Sequence, residues 1–247
     1  MNPTSAKPLQ KKPRSIRPMS PLLLLDIDVL LKICHLLQQD GFIDLFFLIQ
    51  VWFPFQTPEA INKLLHNLDW SKVHEVIEPF KNLECRVFNN FVKHTVNIGV
   101  KGALCYHACK KLIRGNNPTQ QLHTLSNIAD DDNLCFLAYY VFKTIYDPST
   151  LKQNGQILQQ KISESAEFSF DLEKNCRALK GRFGKYNRFW LDRPDIFPQN
   201  GVCSSYVSGK AHNMDPYGLG CGYREIVTAT CSECMILMIN FKVFRGY

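Results

Sequence analysis

The pentapeptide Leu104-Cys105-Tyr106-His107-Ala108 returns thirty residues later as Leu134-Cys135-Phe136-Leu137-Ala138. No other feature narrows the fold as much. Periods of roughly 20–50 residues belong to stacked architectures, in which one helix pair cannot bury its apolar face and needs a neighbour. Ala108 and Ala138, small and at matching places, predict a close helix crossing, with Tyr106 and Phe136 filling the space beside it. Between the copies, Asn117-Pro118 reads as a helix start, and Leu122, Leu125, Ile128 and Ala129 form one apolar stripe at helical spacing. Asp147-Pro148-Ser149 marks a break, and Leu151 and Leu158 follow in a weaker amphipathic segment. The order is helix A, helix B, helix A, helix B. Such a repeat offers a surface rather than a catalyst.

A chain of 247 residues suffices for one large or two small domains, and its 45% hydrophobic and 21% charged residues are those of an ordinary soluble globular protein. The formal charge of +7 misleads, because Lys7, Lys11, Lys12, Arg14 and Arg17 sit in an arm without any acid. The remainder is close to neutral, which argues against a nucleic-acid-binding body. Residues 1–21 are rich in proline and poor in large apolar side chains, and they are predicted to be a disordered basic arm. Lys11-Lys12-Pro13-Arg14 reads as a nuclear-import signal, as a solvated tail, or as part of a transit segment.

Ten cysteines are many, but Cys34, Cys85, Cys105, Cys109, Cys135 and Cys176 mostly fall within apolar helical patterns, where a thiol acts as a small hydrophobe. With no apolar run leading to a small-residue cleavage site, a reducing compartment is expected, cytoplasmic and/or nuclear. The longest apolar run, residues 42–55, is short for a membrane span and carries Asp44, so no membrane partner is expected.

Residues 22–55 read as a helix-turn-helix unit. Asp26 or Asp28 caps a helix whose apolar positions Leu30, Ile33, Leu36 and Leu37 fall on one face, Asp40-Gly41 ends it, and a second helix starts near Asp44. Leu45, Leu48, Ile49 and Trp52 follow before Pro54. So many large apolar side chains leave a patch exposed on an isolated unit, which points to a partner. Further on, Thr57 caps a helix with Pro58 in its first position and Ile61, Leu64, Leu65 and Leu68 on one face. Pro79 breaks the next segment, and residues 85–99 form a helix carrying Val87, Phe88, Phe91, Val92 and Val96.

Beyond Ser165, Gly and Pro arrive close together and predict a loop-rich region over 166–247. Arg182, Lys185 and Arg188 among aromatic residues have the texture of a single-strand nucleic-acid surface, although anchored solvated loops share it. Gly218, Gly220 and Gly222 neither follow a strand nor open a helix, so a phosphate loop is not expected. At the end, residues 224–230 and 235–244 read as two strands of a small β-hairpin around Cys231-Ser232-Glu233-Cys234. That turn suits a zinc knuckle with Cys221 and His212 as further ligands; ordinary buried cysteines are the other reading, and no cofactor is otherwise implied. The seven histidines are scattered, and no nucleophile elbow, metalloprotease helix or Walker loop occurs, so no catalysis is expected.

Leu25-Asp26-Ile27-Asp28-Val29-Leu30-Leu31-Lys32-Ile33, followed by Asp44-Leu45 and Trp52, resembles the F-box. With the short repeats behind it, the layout is similar to plant F-box family proteins with tetratricopeptide- or SEL-like repeats. Asp26 stands where that family carries a proline, so the likeness is to a degenerate F-box. The resemblance implies a mainly α fold: F-box-like helices over 22–56, α-helical repeats over 57–165, then the loop-rich tail and hairpin. It also implies a substrate receptor of an SKP-cullin-F-box ubiquitin ligase, holding an undefined target protein on its repeats. Carried over residue by residue, the adaptor-binding set is Leu25, Val29, Leu30, Ile33, Leu45 and Trp52. Read from spacing alone, the same residues are the core of a helical bundle.

Overall fold

The computed structural model describes residues 25–40, 42–52, 57–75, 82–183 and 231–244. The basic arm, Pro79, Cys221, His212, the segment 184–190, the Gly218–Gly222 run and the expected strand at 224–230 lie outside the described residues. What is described is helical, with no strand among it. The helices are α1 (Ile27–Asp40), α2 (Phe42–Trp52), α3 (Pro58–His66), α4 (Trp70–Glu75), α5 (Asn82–Asn97) and α6 (Lys101–Ile113). They continue as α7 (Pro118–Ser126), α8 (Asn133–Tyr146), α9 (Leu151–Glu164), α10 (Ala166–Phe183) and α11 (Ser232–Phe244). Among the described residues no helix is long and apolar enough to cross a membrane.

The breaks between helices have local causes. Asp26 opens α1 by accepting a hydrogen bond from the Asp28 backbone N–H at 2.8 Å, and Thr57 accepts from the Ala60 N–H at 3.3 Å ahead of Pro58. Asp132 caps α8 more completely, its Oδ1 taking the N–H groups of Leu134 at 2.8 Å and Cys135 at 3.0 Å. Gly99 and Gly115 turn with φ of +79° and +69°, values that cost glycine little, and their helices end as the Val100 N–H reaches the Thr95 carbonyl and the Asn116 N–H that of Lys111. Asn117 enters α7 with φ +48°, in the left-handed region that asparagine adopts more readily than most residues.

Two apolar cores result. In the first, α1 inserts Leu30, Cys34 and the buried Gln38 at helical spacing, and α2 adds Phe42, Leu45, Phe46 and Ile49. Phe46 meets Phe88 and Phe91 of α5 edge-on at 5.7 and 5.6 Å, and Trp70 of α4 stacks on Phe91 at 6.1 Å. Removing such a ring as Phe46→Ala costs about 3–5 kcal/mol, so this cluster is what seats α1 and α2. The second core spans α6 to α11 and includes both alanines of the paired motifs. Helix α6 joins the two, sending Ala103 and Tyr106 into the first and Cys105, Ala108, Cys109 and Leu112 into the second.

Helices α6, α7, α8 and α9 follow the expected order, and Cys105, Ala108, Cys135 and Ala138 are all fully buried. The two aromatic residues go to different neighbours. Tyr106 packs on Phe88 and Trp70, whereas Phe136 packs edge-on against Phe168 of α10 at 5.5 Å.

Two expectations for the C-terminal region are corrected. Residues 166–183 are not loop but helix α10, which buries Phe168, Leu172, Cys176 and Leu179 and packs on α4, α8, α9 and α11. Of the glycine and proline run, only Gly181 falls within it. The second strand of the predicted hairpin is α11 instead. Met235, Ile236, Met238, Ile239 and Val243 are all buried, so the segment is apolar nearly all round and shows neither helical nor strand periodicity plainly. Burial between α9 and α10 decides in favour of helix.

Candidate functional site

The residues assigned to adaptor binding separate into two groups. Leu30 and Leu45 are 2% and 0% exposed and belong to the first core. Leu25 and Val29 are exposed, Val29 by 42%, and Ile33 is half-buried. Trp52 is the last residue of α2, and its side chain is not among those described. Helix periodicity explains the separation: Leu30, Cys34 and Gln38 point inward, so Val29 and Leu36 lie on the opposite side, and Leu25 precedes the helix.

Leu36, expected on one face with Leu30, lies on the exposed side instead, and sequence reasoning missed two further exposed apolar residues. Leu36 is 60% exposed, and on α2 Ile43 and Phe47 are exposed as well. The signal was present, because Val29 and Leu36 lie seven apart, two turns along one side of α1, and Ile43 and Phe47 lie four apart. Single exposed apolar residues are ordinary, but Leu25 just before α1, Val29 and Leu36 on it, and Ile43 and Phe47 on α2 account for five of the six large apolar side chains exposed among the described residues, and α1 and α2 pack together. The sixth, Phe170, sits alone on α10. At the edge, Lys63 of α3 donates to Asp28 at 2.7 Å, and that hydrogen bond with the charge behind it lowers the Asp28 pKa.

The tail cysteines take a different form from a knuckle. Cys231 precedes α11 and Cys234 lies in its first turn, so the two do not face one ion from a hairpin turn. Cys221 and His212 lie outside the described residues. Among the described residues no group of three or more His, Cys, Asp and Glu side chains is arranged to hold a metal.

A thiol cluster lies instead between the paired motifs. Cys105 and Cys109 on α6 and Cys135 on α8 belong to the same core, and all three are fully buried. The contact with Cys109 pushes the Cys105 thiol well up, and the contact with Cys105, then burial, does the same for Cys135. Burial alone raises Cys34 to about 11, and burial followed by the nearby Glu173 carboxylate lifts Cys176. Cys34, Cys105, Cys135 and Cys176 stay protonated and pack as small apolar groups, without the thiolate that nucleophilic chemistry needs. His107, on the same helix, is half-buried, and its pKa is lowered by burial and then by Lys111 and Lys110.

Compared with protein-family models, curated proteins and solved structures, the chain matches none.

Proposed function

We propose that this chain is a non-catalytic binding protein that docks a partner on the outer face of α1 and α2. The partner is the SKP-type adaptor of a cullin-RING ubiquitin ligase, and the helices beyond residue 57 hold a target protein. One observation supports this reading above the rest: Leu25, Val29, Leu36, Ile43 and Phe47 stay exposed while the inner faces of the same helices are filled. The identity of the partner rests on the resemblance of residues 25–52 to a degenerate F-box. The contact set is therefore Leu25, Val29, Ile33, Leu36, Ile43 and Phe47, with Leu30 and Leu45 supporting it from beneath.

On this reading α6–α7 and α8–α9 are two copies of one repeat and present the target, in the cytoplasm or nucleus where such ligases work. A second reading is favoured by the burial of Leu30 and Leu45: α1 and α2 then only cap the N-terminal end of a helical scaffold. Purified SKP-type adaptor separates the two. Val29→Glu combined with Phe47→Glu changes only exposed positions, and a charge in a desolvated interface core typically costs ~2 kcal/mol or more. The expected result is capture by the wild type, loss of capture by the double variant, and equal helicity in both. A well-folded wild type that does not bind the adaptor refutes the ligase reading and leaves the scaffold.

A further inference from the structure

A polar cleft of about 450 Å³, lined by no residue of α1 or α2, is walled by the start of α4, the start of α6, the turn at Ala129–Asp131 and the first half of α10. Six carboxylates line it against two lysines and one histidine. Some of that charge is already used. Lys101 holds Asp131 at 2.7 Å, Lys174 holds Asp69 at 3.2 Å, and Asp132 is the cap of α8. Burial works to raise the Asp69 pKa, but hydrogen bonds from Ser71 and the Lys174 ammonium outweigh it, so this wall stays anionic. Asp130, Glu167 and Asp171 remain without a cationic partner among the described residues.

A second observation points the same way from different chemistry. Asn175 of α10 lines the cleft, is 4% exposed, and its Nδ2 has no hydrogen-bond partner among the described residues. A buried amide N–H left unpaired is costly and calls for an acceptor. A bare cation supplies none, and no described group of side chains is arranged for a metal ion. Phosphate would supply an acceptor, but the surrounding carboxylates repel it. The fitting occupant carries cations and neutral acceptors together.

We propose that this cleft binds an extended lysine- or arginine-rich peptide segment. Its side-chain cations sit among Asp130, Glu167 and Asp171, and a backbone carbonyl accepts from Asn175 Nδ2. The proposal does not depend on the α1–α2 interface, and its test needs no adaptor.

The test is fluorescence anisotropy of a short, labelled Lys/Arg-rich peptide against the full chain, with spermine and magnesium as separate competitors. The wild type binds, and added salt weakens binding because the exposed pairs are screened. The triple variant Asp130→Asn, Glu167→Gln, Asp171→Asn loses on the order of tenfold, as expected from three exposed charge pairs. Asn175→Leu removes a donor of similar size to its replacement. It is expected to keep or raise the melting temperature while weakening the peptide by about threefold or more, the value of one neutral hydrogen bond. Unchanged affinity in either variant overturns the proposal. So does spermine or magnesium displacing the peptide at equal concentration, which would make the cleft a general cation sink.

Discussion

Gly155→Ala tests the docking of the C-terminal helix, because its two possible effects have opposite signs. In a free helix, alanine in place of an interior glycine is worth about 0.5–1 kcal/mol of added stability. Here the added Cβ would stand 2.3 Å from the carbonyl oxygen and 2.7 Å from the carbonyl carbon of Ser232, at the start of α11. Those are backbone atoms, so no rotamer change relieves the contact, and α11 has to move off α9. Overpacking of that kind costs about 1–3 kcal/mol. The balance is a loss of about 1–2 kcal/mol, or on the order of 2–8 °C in melting temperature for a chain of this size. Thermal unfolding followed by circular dichroism measures it, with Gln156→Ala at the exposed neighbouring position as a control expected within about 0.5 kcal/mol of wild type. A Gly155→Ala protein that melts higher than wild type refutes the α9–α11 crossing.

Further outcomes follow from the same geometry. Leu30→Ala, in the core, lowers stability by about 2–5 kcal/mol in urea unfolding, whereas Val29→Ala, on the exposed face of the same helix, changes it by about 0.5 kcal/mol or less. Asp132→Ala leaves the Leu134 and Cys135 N–H groups without their cap and costs about 1 kcal/mol in the same assay. The His107 pKa lies below its ordinary 6.5 in the fold, so below 6.5 the unfolded chain binds the extra proton and stability falls as pH drops toward the folded value. His107→Gln reduces that acid-side loss and changes nothing above 6.5. Asp69, lowered from 3.8, contributes stability above 3.8 that is lost as pH falls through its folded value, and Asp69→Asn abolishes that contribution.

Much of the architecture was legible where local chemistry decides it. Thr57-Pro58, Asn117-Pro118 and Asp147-Pro148 all mark helix boundaries that form, because caps and proline act over three or four residues. The buried sides of α6 and α8 were equally plain from Cys105, Ala108, Cys135 and Ala138. Two kinds of information were missing. Helix α11 is surrounded by α9, α10 and α8, so its sequence carries no polar stripe to reveal a period. Gly155, which allows that approach, sits inside a helix, where glycine alone signals nothing.

The candidate site divided along the same line. Asp28, Val29 and Leu30 are consecutive, yet one pairs with Lys63, one is exposed and one is core. Their assignment depends on where α5 places Phe88 and Phe91, which no short motif encodes. The cleft was invisible to motif reasoning for a related reason. Its acids come from the residue before α4, from α10 and from the turn before α8, and Asp69 and Asp171 lie 102 positions apart.

Hydrogen exchange of the full chain, alone and with purified SKP-type adaptor, tests the central claim most directly. The account predicts slowed exchange across α1 and α2 on adaptor binding, with α8 to α10 unchanged. Binding that protects α8 to α10 and leaves α1 and α2 exchanging as in the free chain would contradict it.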